Sequence, residues 1–172
     1  MFSFGDTSIK SNAKPALARK GKSSRAIHLD SGFIEIEIES NTEGCSIFDP
    51  KYCEDGITMS ILVRLLGQLK DSTDASAAYL YSSGPPAGKG FSISLKCSDS
   101  ECTQTLISFH VSNGNSFWRA DATVNMSQLI GQWTTFGLSW KAEYGAWGLI
   151  DGIIVGKFIF AYNYSILRFK LR

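Results

Sequence analysis

Three carboxylates stand at alternate positions in Glu35-Ile36-Glu37-Ile38-Glu39, and on an extended chain that spacing puts them on one face. Two such groups about 5–5.5 Å apart can serve as nucleophile and acid in retaining glycosidic hydrolysis. Glu35 and Glu39 could converge if their sheet curves. The competing reading is an outward charged strand that discourages edge pairing. That second reading is preferred. No Trp or Tyr flanks the run to hold a sugar ring, and the basic, polar stretch before it offers water and counter-charge. A protonated acid needs burial or a close like charge, so all three carboxylates are expected to be ionised and solvated. His28 and His110 are the only histidines, too few and too scattered for a Ser/His/Asp arrangement. No Gly-rich stretch leads into a helix that could cradle phosphate. The expectation is a protein that is not an enzyme, with no catalytic residue.

The four cysteines form two close pairs, Cys45/Cys53 and Cys97/Cys102. Three pairings are formally possible. Buried free thiols are one alternative, since lone Cys behaves as a core hydrophobe. A zinc site is another, but its cysteines usually sit two to four residues apart, often with His, and neither histidine lies close in sequence to a pair. Local disulfides Cys45–Cys53 and Cys97–Cys102 are expected, because each pair flanks a polar loop where Cβ atoms can approach to about 4 Å. Disulfides imply an oxidising compartment. The sequons Asn125-Met126-Ser127 and Asn163-Tyr164-Ser165 agree with secretion and nominate Asn125 and Asn163 for glycosylation. Met1 to Lys14 has no apolar core of a signal peptide, so the chain reads as a fragment of a longer secreted or membrane-anchored protein.

The elements that must position these groups are strands. At 172 residues, with 11 Phe and 4 Trp, the chain has enough apolar mass for one β-rich domain. Lys and Arg total 17 against 16 Asp and Glu, a balance that does not point to nucleic acid. No apolar run approaches the roughly 20 residues of a membrane span. Residues 1–26 carry Lys10, Lys14, Arg19, Lys20, Lys22 and Arg25 against Asp6, with no hydrophobic periodicity, and read as a disordered basic linker. Residues 27–172 read as the domain. Ile34, Ile36 and Ile38 alternate with the three glutamates. Ile57, Met59, Ile61, Val63 and Leu65 alternate with Thr58, Ser60, Leu62 and Arg64, which predicts a strand lying over a core. Further strands are predicted over 77–82, from Phe91 to Cys97 and from Cys102 to Val111, and Asn113-Gly114 marks a turn with Phe117–Ala120 beyond it. Phe136, Leu138 and Trp140 share one face and, with Trp133, are expected to be core or sheet-packing residues, whereas Trp118 and Trp147, beside turns, are expected to be partly exposed. Asp151-Gly152 between apolar runs predicts a two-residue hairpin turn. Ile166–Arg172 alternates Leu167, Phe169 and Leu171 with basic residues. No window supports an amphipathic helix of ten or more residues. Many short strands between turns predict an all-β antiparallel sandwich.

The cysteine loop leading into the Ile57–Leu65 strand resembles the opening of laminin G-like modules of the concanavalin A-like lectin/glucanase superfamily. Gly131-Gln132-Trp133-Thr-Thr-Phe-Gly-Leu-Ser-Trp140, followed by Leu149-Ile-Asp151-Gly152-Ile-Ile-Val155, is similar to the matching strand and hairpin of laminin G-like and pentraxin-like jelly rolls. The resemblance covers about Ile27 to Gly156. It implies a jelly roll of two antiparallel sheets in an extracellular, lectin-like adhesion module, secreted or part of an ectodomain. It also implies a glycan or a matrix or cell-surface protein as ligand at the loop rim, and in some members calcium there; the residues themselves nominate no cofactor and no metal ligand. Leu62 stands where the family often has Trp, and Ile166–Arg172 is basic where the family closes on an acidic strand, so the expected jelly roll is truncated or diverged at its C-terminal end. Glu35–Glu39 resembles the Glu-x-Asp-x-Glu strand of retaining β-glucanases, but Glu37 is a methylene longer than Asp and the run comes first in the domain. A glycoside hydrolase using Glu35 and Glu39 is therefore the alternative function, and a structural spacer that binds nothing is the third.

Overall fold

The structure, a computed structural model, describes residues 14–17, 25–28, 45, 49–69, 77–83, 88–158 and 162–163. It divides into two compact units, Met1–Asn41 and Thr42–Arg172. In the first, β1 (Lys14–Leu17) pairs antiparallel with β2 (Arg25–His28), Pro15 opposite Ile27. β1 and the first residues of β2 fall within the segment 1–26. In a two-stranded sheet both strands are edges, where Pro15 is tolerated. The Ile34–Glu39 run with its three carboxylates and the Ile166–Arg172 run lie outside the described residues.

The second unit holds β3 (Ile57–Arg64), β4 (Ala78–Ser82), β5 (Lys89–Cys97), β6 (Gln104–Asn113), β7 (Ser116–Asn125), β8 (Trp133–Lys141), β9 (Gly145–Ile150), β10 (Ile153–Phe158) and β11 (Tyr162–Asn163). One sheet has the order β11-β7-β6-β5-β4 and the other β10-β9-β8-β3. Successive hairpins β4 to β7 build most of the first sheet, and β8 to β10 most of the second. β3 joins from far away, pairing antiparallel with β8 so that Ile57 faces Trp140 and Arg64 faces Trp133. All pairings between these strands are antiparallel. The fold is all-β and sandwich-like. Among the described residues no helix is long and apolar enough to cross a membrane.

The core lies between the two sheets. Phe91, Ile93 and Leu95 on β5, Ile107, Phe109 and Val111 on β6, and Trp118 and Ala120 on β7 are buried against Phe136, Leu138 and Trp140 on β8 and Ala146 on β9. The strict alternation of β3 is realised: Ile57, Met59, Ile61 and Val63 pack against this core while Thr58, Ser60, Leu62 and Arg64 are exposed. At Gly148 the Phe109 ring of the facing sheet fills the place of a side chain: a Cβ would lie 2.2 Å from Cδ2 of Phe109. Trp118 corrects the sequence reading. It is only 5% exposed and meets Trp140 edge-on at 5.1 Å. Its place beside the 113–116 turn suggested exposure, but its register opposite Val111 puts it on the inner face. Trp147 is half-buried, as its turn position suggested. β7 continues past Trp118 to Asn125, and Ala120 and Ala122 carry on its inner face with side chains too small to signal a strand.

Asp151 and Gly152 have φ of 50° and 82°, the left-handed pair that a tight hairpin between β9 and β10 requires. The Asp151 N–H donates to the Thr135 carbonyl at 2.8 Å, and its Oδ1 accepts from the Thr135 N–H at 2.7 Å. The turn is thereby stitched to β8.

Candidate functional site

One end of the sandwich gathers the cystine loop ahead of β3, the 141–145 turn, the start of β5 and the β6–β7 turn. Asp49 begins the local order: its Oδ1 accepts from the Lys51 N–H at 3.3 Å, capping the short 3-10 turn Pro50–Tyr52. Pro50 at the first position has no N–H to leave unpaired. Cys53 closes the turn by donating to the Pro50 carbonyl at 2.9 Å and is bridged to Cys45, with a Cα separation of 4.3 Å. Cys53 is 2% exposed, so the bridge ties the loop to the core. Gly56, at φ +81°, then runs beside the Trp140 carbonyl and Lys141, where a Cβ would not fit. That contact brings the cystine loop against the 141–145 turn.

Across the rim, Lys89 Nζ hydrogen-bonds and ion-pairs with Asp49 Oδ2. This bond first, and the carboxylate's charge second, push the Lys89 pKa up. An exposed ion pair stabilises the fold little; its effect here is to hold the loop over β5. Tyr52 and Tyr144 stand out from this end, 53% and 50% exposed. Lys51 Nζ lies 5.5 Å from the Tyr52 ring centroid and Lys141 Nζ 5.4 Å from that of Tyr144. An exposed ring with a cation over one face keeps an apolar face for stacking, a phenol, and ammonium donors beside it.

The second disulfide, Cys97–Cys102, has a Cα separation of 4.7 Å and closes the β5–β6 turn at the opposite end. The Asp99 carboxylate accepts there from the Thr103 hydroxyl, the Thr103 N–H and the Gln104 N–H, which lowers its pKa. Both pairings are the ones expected from sequence. Asn125 ends β7, is exposed, and its Oδ1 accepts from Gln104 Nε2 at 3.1 Å; Ser127 of the same sequon is also exposed. Asn163 lies in the short strand β11, opposite Ser116. Glu35, Glu37 and Glu39 fall outside the described residues. Tyr52, Tyr144 and the Asp49–Lys89 pair were not singled out from sequence, because nothing local in the chain marks which turns share an end.

Calcium, implied at such a rim by resemblance, needs several converging oxygen ligands. Among the described residues no group of three or more His, Cys, Asp or Glu side chains converges, and Asp49 is engaged by Lys89 and Lys51.

A second polar grouping lies on the outer face of the β11-β7-β6-β5-β4 sheet. Arg119 Nε donates to Asp121 Oδ1 at 2.8 Å and its Nη2 to Ser108 Oγ at 3.3 Å, while the His110 ring rests 5.7 Å from that of Phe117. Burial, and secondarily the charge of Arg119, hold the His110 pKa below its ordinary 6.5. A base whose pKa is depressed on folding favours the unfolded state once protons become available. The contribution of His110 is fully present above about pH 6.5 and declines as pH falls below it, where the unfolded chain protonates first. Stability measured from pH 7 to pH 5 is expected to fall less in His110→Gln than in the wild type. Parallel stability curves for the two would remove His110 as the cause.

No family model, curated protein or solved structure matches the chain.

Proposed function

We propose that the chain is a non-catalytic, laminin G-like jelly-roll module of an extracellular adhesion protein that binds glycan at the rim around the cystine loop. The observation that carries this reading is the pair Tyr52 and Tyr144, each about half exposed at one end of the sandwich with a lysine over its ring. Pyranose rings present an apolar C–H face and a rim of hydroxyls, which suit a stacking tyrosine and adjacent Lys51, Lys141 and Lys89 donors. The cysteine bridges support an oxidising compartment, and glycosylation at Asn125 and Asn163 belongs to the same reading.

The test is a glycan-array screen of the chain, with and without calcium, repeated with Tyr52→Ala and Tyr144→Ala. Loss of one stacked aromatic contact, about 0.5–1.5 kcal/mol, predicts binding weakened roughly two- to twelvefold for each variant, with no dependence on calcium. Absence of glycan binding, or binding that ignores both substitutions, would overturn the reading. Hydrolysis of β-glucan that Glu35→Gln or Glu39→Gln abolishes would replace it with catalysis.

A further inference from the structure

The four strands β3, β8, β9 and β10 contain no Asp or Glu. Their outward positions carry three cations instead, Arg64, Lys141 and Lys157. An antiparallel sheet normally turns a polar face to water, yet this face is crossed by an apolar band. Ile154 on β10 is 59% exposed and sits opposite Leu149 on β9. Leu149 leans over Gly137 on β8, where a Cβ would meet its own Cβ at 3.4 Å. On β3, Ser60 stands opposite Gly137, and Leu62, 50% exposed, lies diagonally from it, opposite Thr135. Trp147, with Lys157 Nζ 5.5 Å from its ring centroid, borders the band.

We propose that this outer face docks an acidic, apolar polypeptide segment, whose carboxylates meet Arg64, Lys141 and Lys157 while its aliphatic side chains cover Ile154, Leu149 and Leu62. Charge complementarity selects the occupant. Two copies of the same face would set cations against cations without a carboxylate from either sheet, so self-association is disfavoured. A bilayer would have to bury the Thr58 and Ser139 hydroxyls, which lie on this face and share a 2.8 Å hydrogen bond, whereas a polypeptide can hydrogen-bond to them. The acids nearest in sequence to the four strands, Glu54, Asp55, Glu143 and Asp151, lie in the turns at their ends, and the Asp151 carboxylate is bonded to Thr135. The proposal concerns the sheet face rather than the rim, with Lys141 at the border of the two, and the variants that test it, at Leu62, Arg64, Ile154 and Lys157, leave the rim residues unchanged.

The test titrates the full chain into a short labelled peptide of Leu and Glu in equal number, read by fluorescence anisotropy. Companion peptides replace Glu by Lys or Leu by Ser, and anionic-lipid vesicles and sedimentation of the chain alone complete the set. The expected result is saturable binding of the Leu/Glu peptide, weakened by salt. Arg64→Glu with Lys157→Glu, and separately Leu62→Ser with Ile154→Ser, should each reduce it about tenfold or more, in line with paired charges and buried anchors at interfaces. Failure to bind that peptide, equal binding of the Leu/Lys peptide, or indifference to both double variants would overturn the proposal. So would binding confined to vesicles, or self-association that Leu62→Ser with Ile154→Ser abolishes.

Discussion

Replacing Gly148 by valine is expected to leave little folded protein. Three ring atoms of Phe109, Cδ2, Cε2 and Cγ, lie 2.2 to 2.7 Å from where a Cβ would sit. Phe109 is fully buried, and its ring cannot swing aside as the end of a flexible chain could. Either the sheets separate or the β9 backbone moves. Overpacking a close-packed core typically costs about 1–3 kcal/mol and more where backbone must shift, and about 3 kcal/mol or more is expected here. Against a total stability of roughly 5–15 kcal/mol, that is a large share. Gly148→Ala is expected to cost about 2 kcal/mol and is the practical variant, its urea midpoint read by tryptophan fluorescence. Phe109→Ala supplies the diagnostic partner: alone it opens a cavity, but combined with Gly148→Ala it should cost clearly less than the sum of the two. An unchanged midpoint for Gly148→Ala, or strict additivity of the pair, would show that the two residues do not compete for the same space.

Trp140→Ala is expected to cost about 3–5 kcal/mol, the range for removing a buried large aromatic. The ring is 3% exposed and meets Phe91 edge-on at 6.2 Å as well as Trp118. Trp140→Phe should cost far less. The indole Nε1 is buried with no hydrogen-bond partner among the described residues, and a buried unpaired donor carries a penalty of about 1–3 kcal/mol. Phenylalanine gives up some packing but removes that donor, so the two effects offset and a net loss of about 1 kcal/mol or less is expected. Denaturant titrations of both variants decide it. If the phenylalanine variant were as damaged as the alanine one, the indole N–H would have to be contributing a bond.

The contrast between β3 and Trp118 shows what could be read from the chain. β3 has a buried and an exposed face, so its period of two is written into Ile57 to Arg64 residue by residue. The hairpins from β5 to β6 and from β9 to β10 were legible for a similar reason, since their turns are marked by Ser98-Asp99-Ser100-Glu101 and by Asp151-Gly152. Trp118 was misplaced because proximity to a turn says nothing about which side of the sheet a residue takes; that is fixed by its pairing with β6. The rim was illegible for a deeper reason. Asp49 and Lys89 are 40 residues apart, and no local pattern announces that the loop holding one will land on the strand holding the other. The acid-free character of the four-stranded sheet could have been read earlier, but only with knowledge of which strands lie side by side.

The pairing of β3 with β8 has a consequence for how the chain is made. Thr58 and Ser139, hydrogen-bonded neighbours in the sheet, are separated by 81 residues. At synthesis rates of about 5–20 residues per second, β3 leaves the ribosome roughly 4–16 seconds before its partner. The β4–β7 hairpins close by local contacts within that interval, but β3 waits with Ile57, Met59, Ile61 and Val63 uncovered and its pairing edge open. Pairings of long sequence separation are the slow ones, because loop closure precedes the contacts that repay it. The nascent strand is thus the segment that chaperones would hold longest, and the one through which two unfinished chains would first entangle.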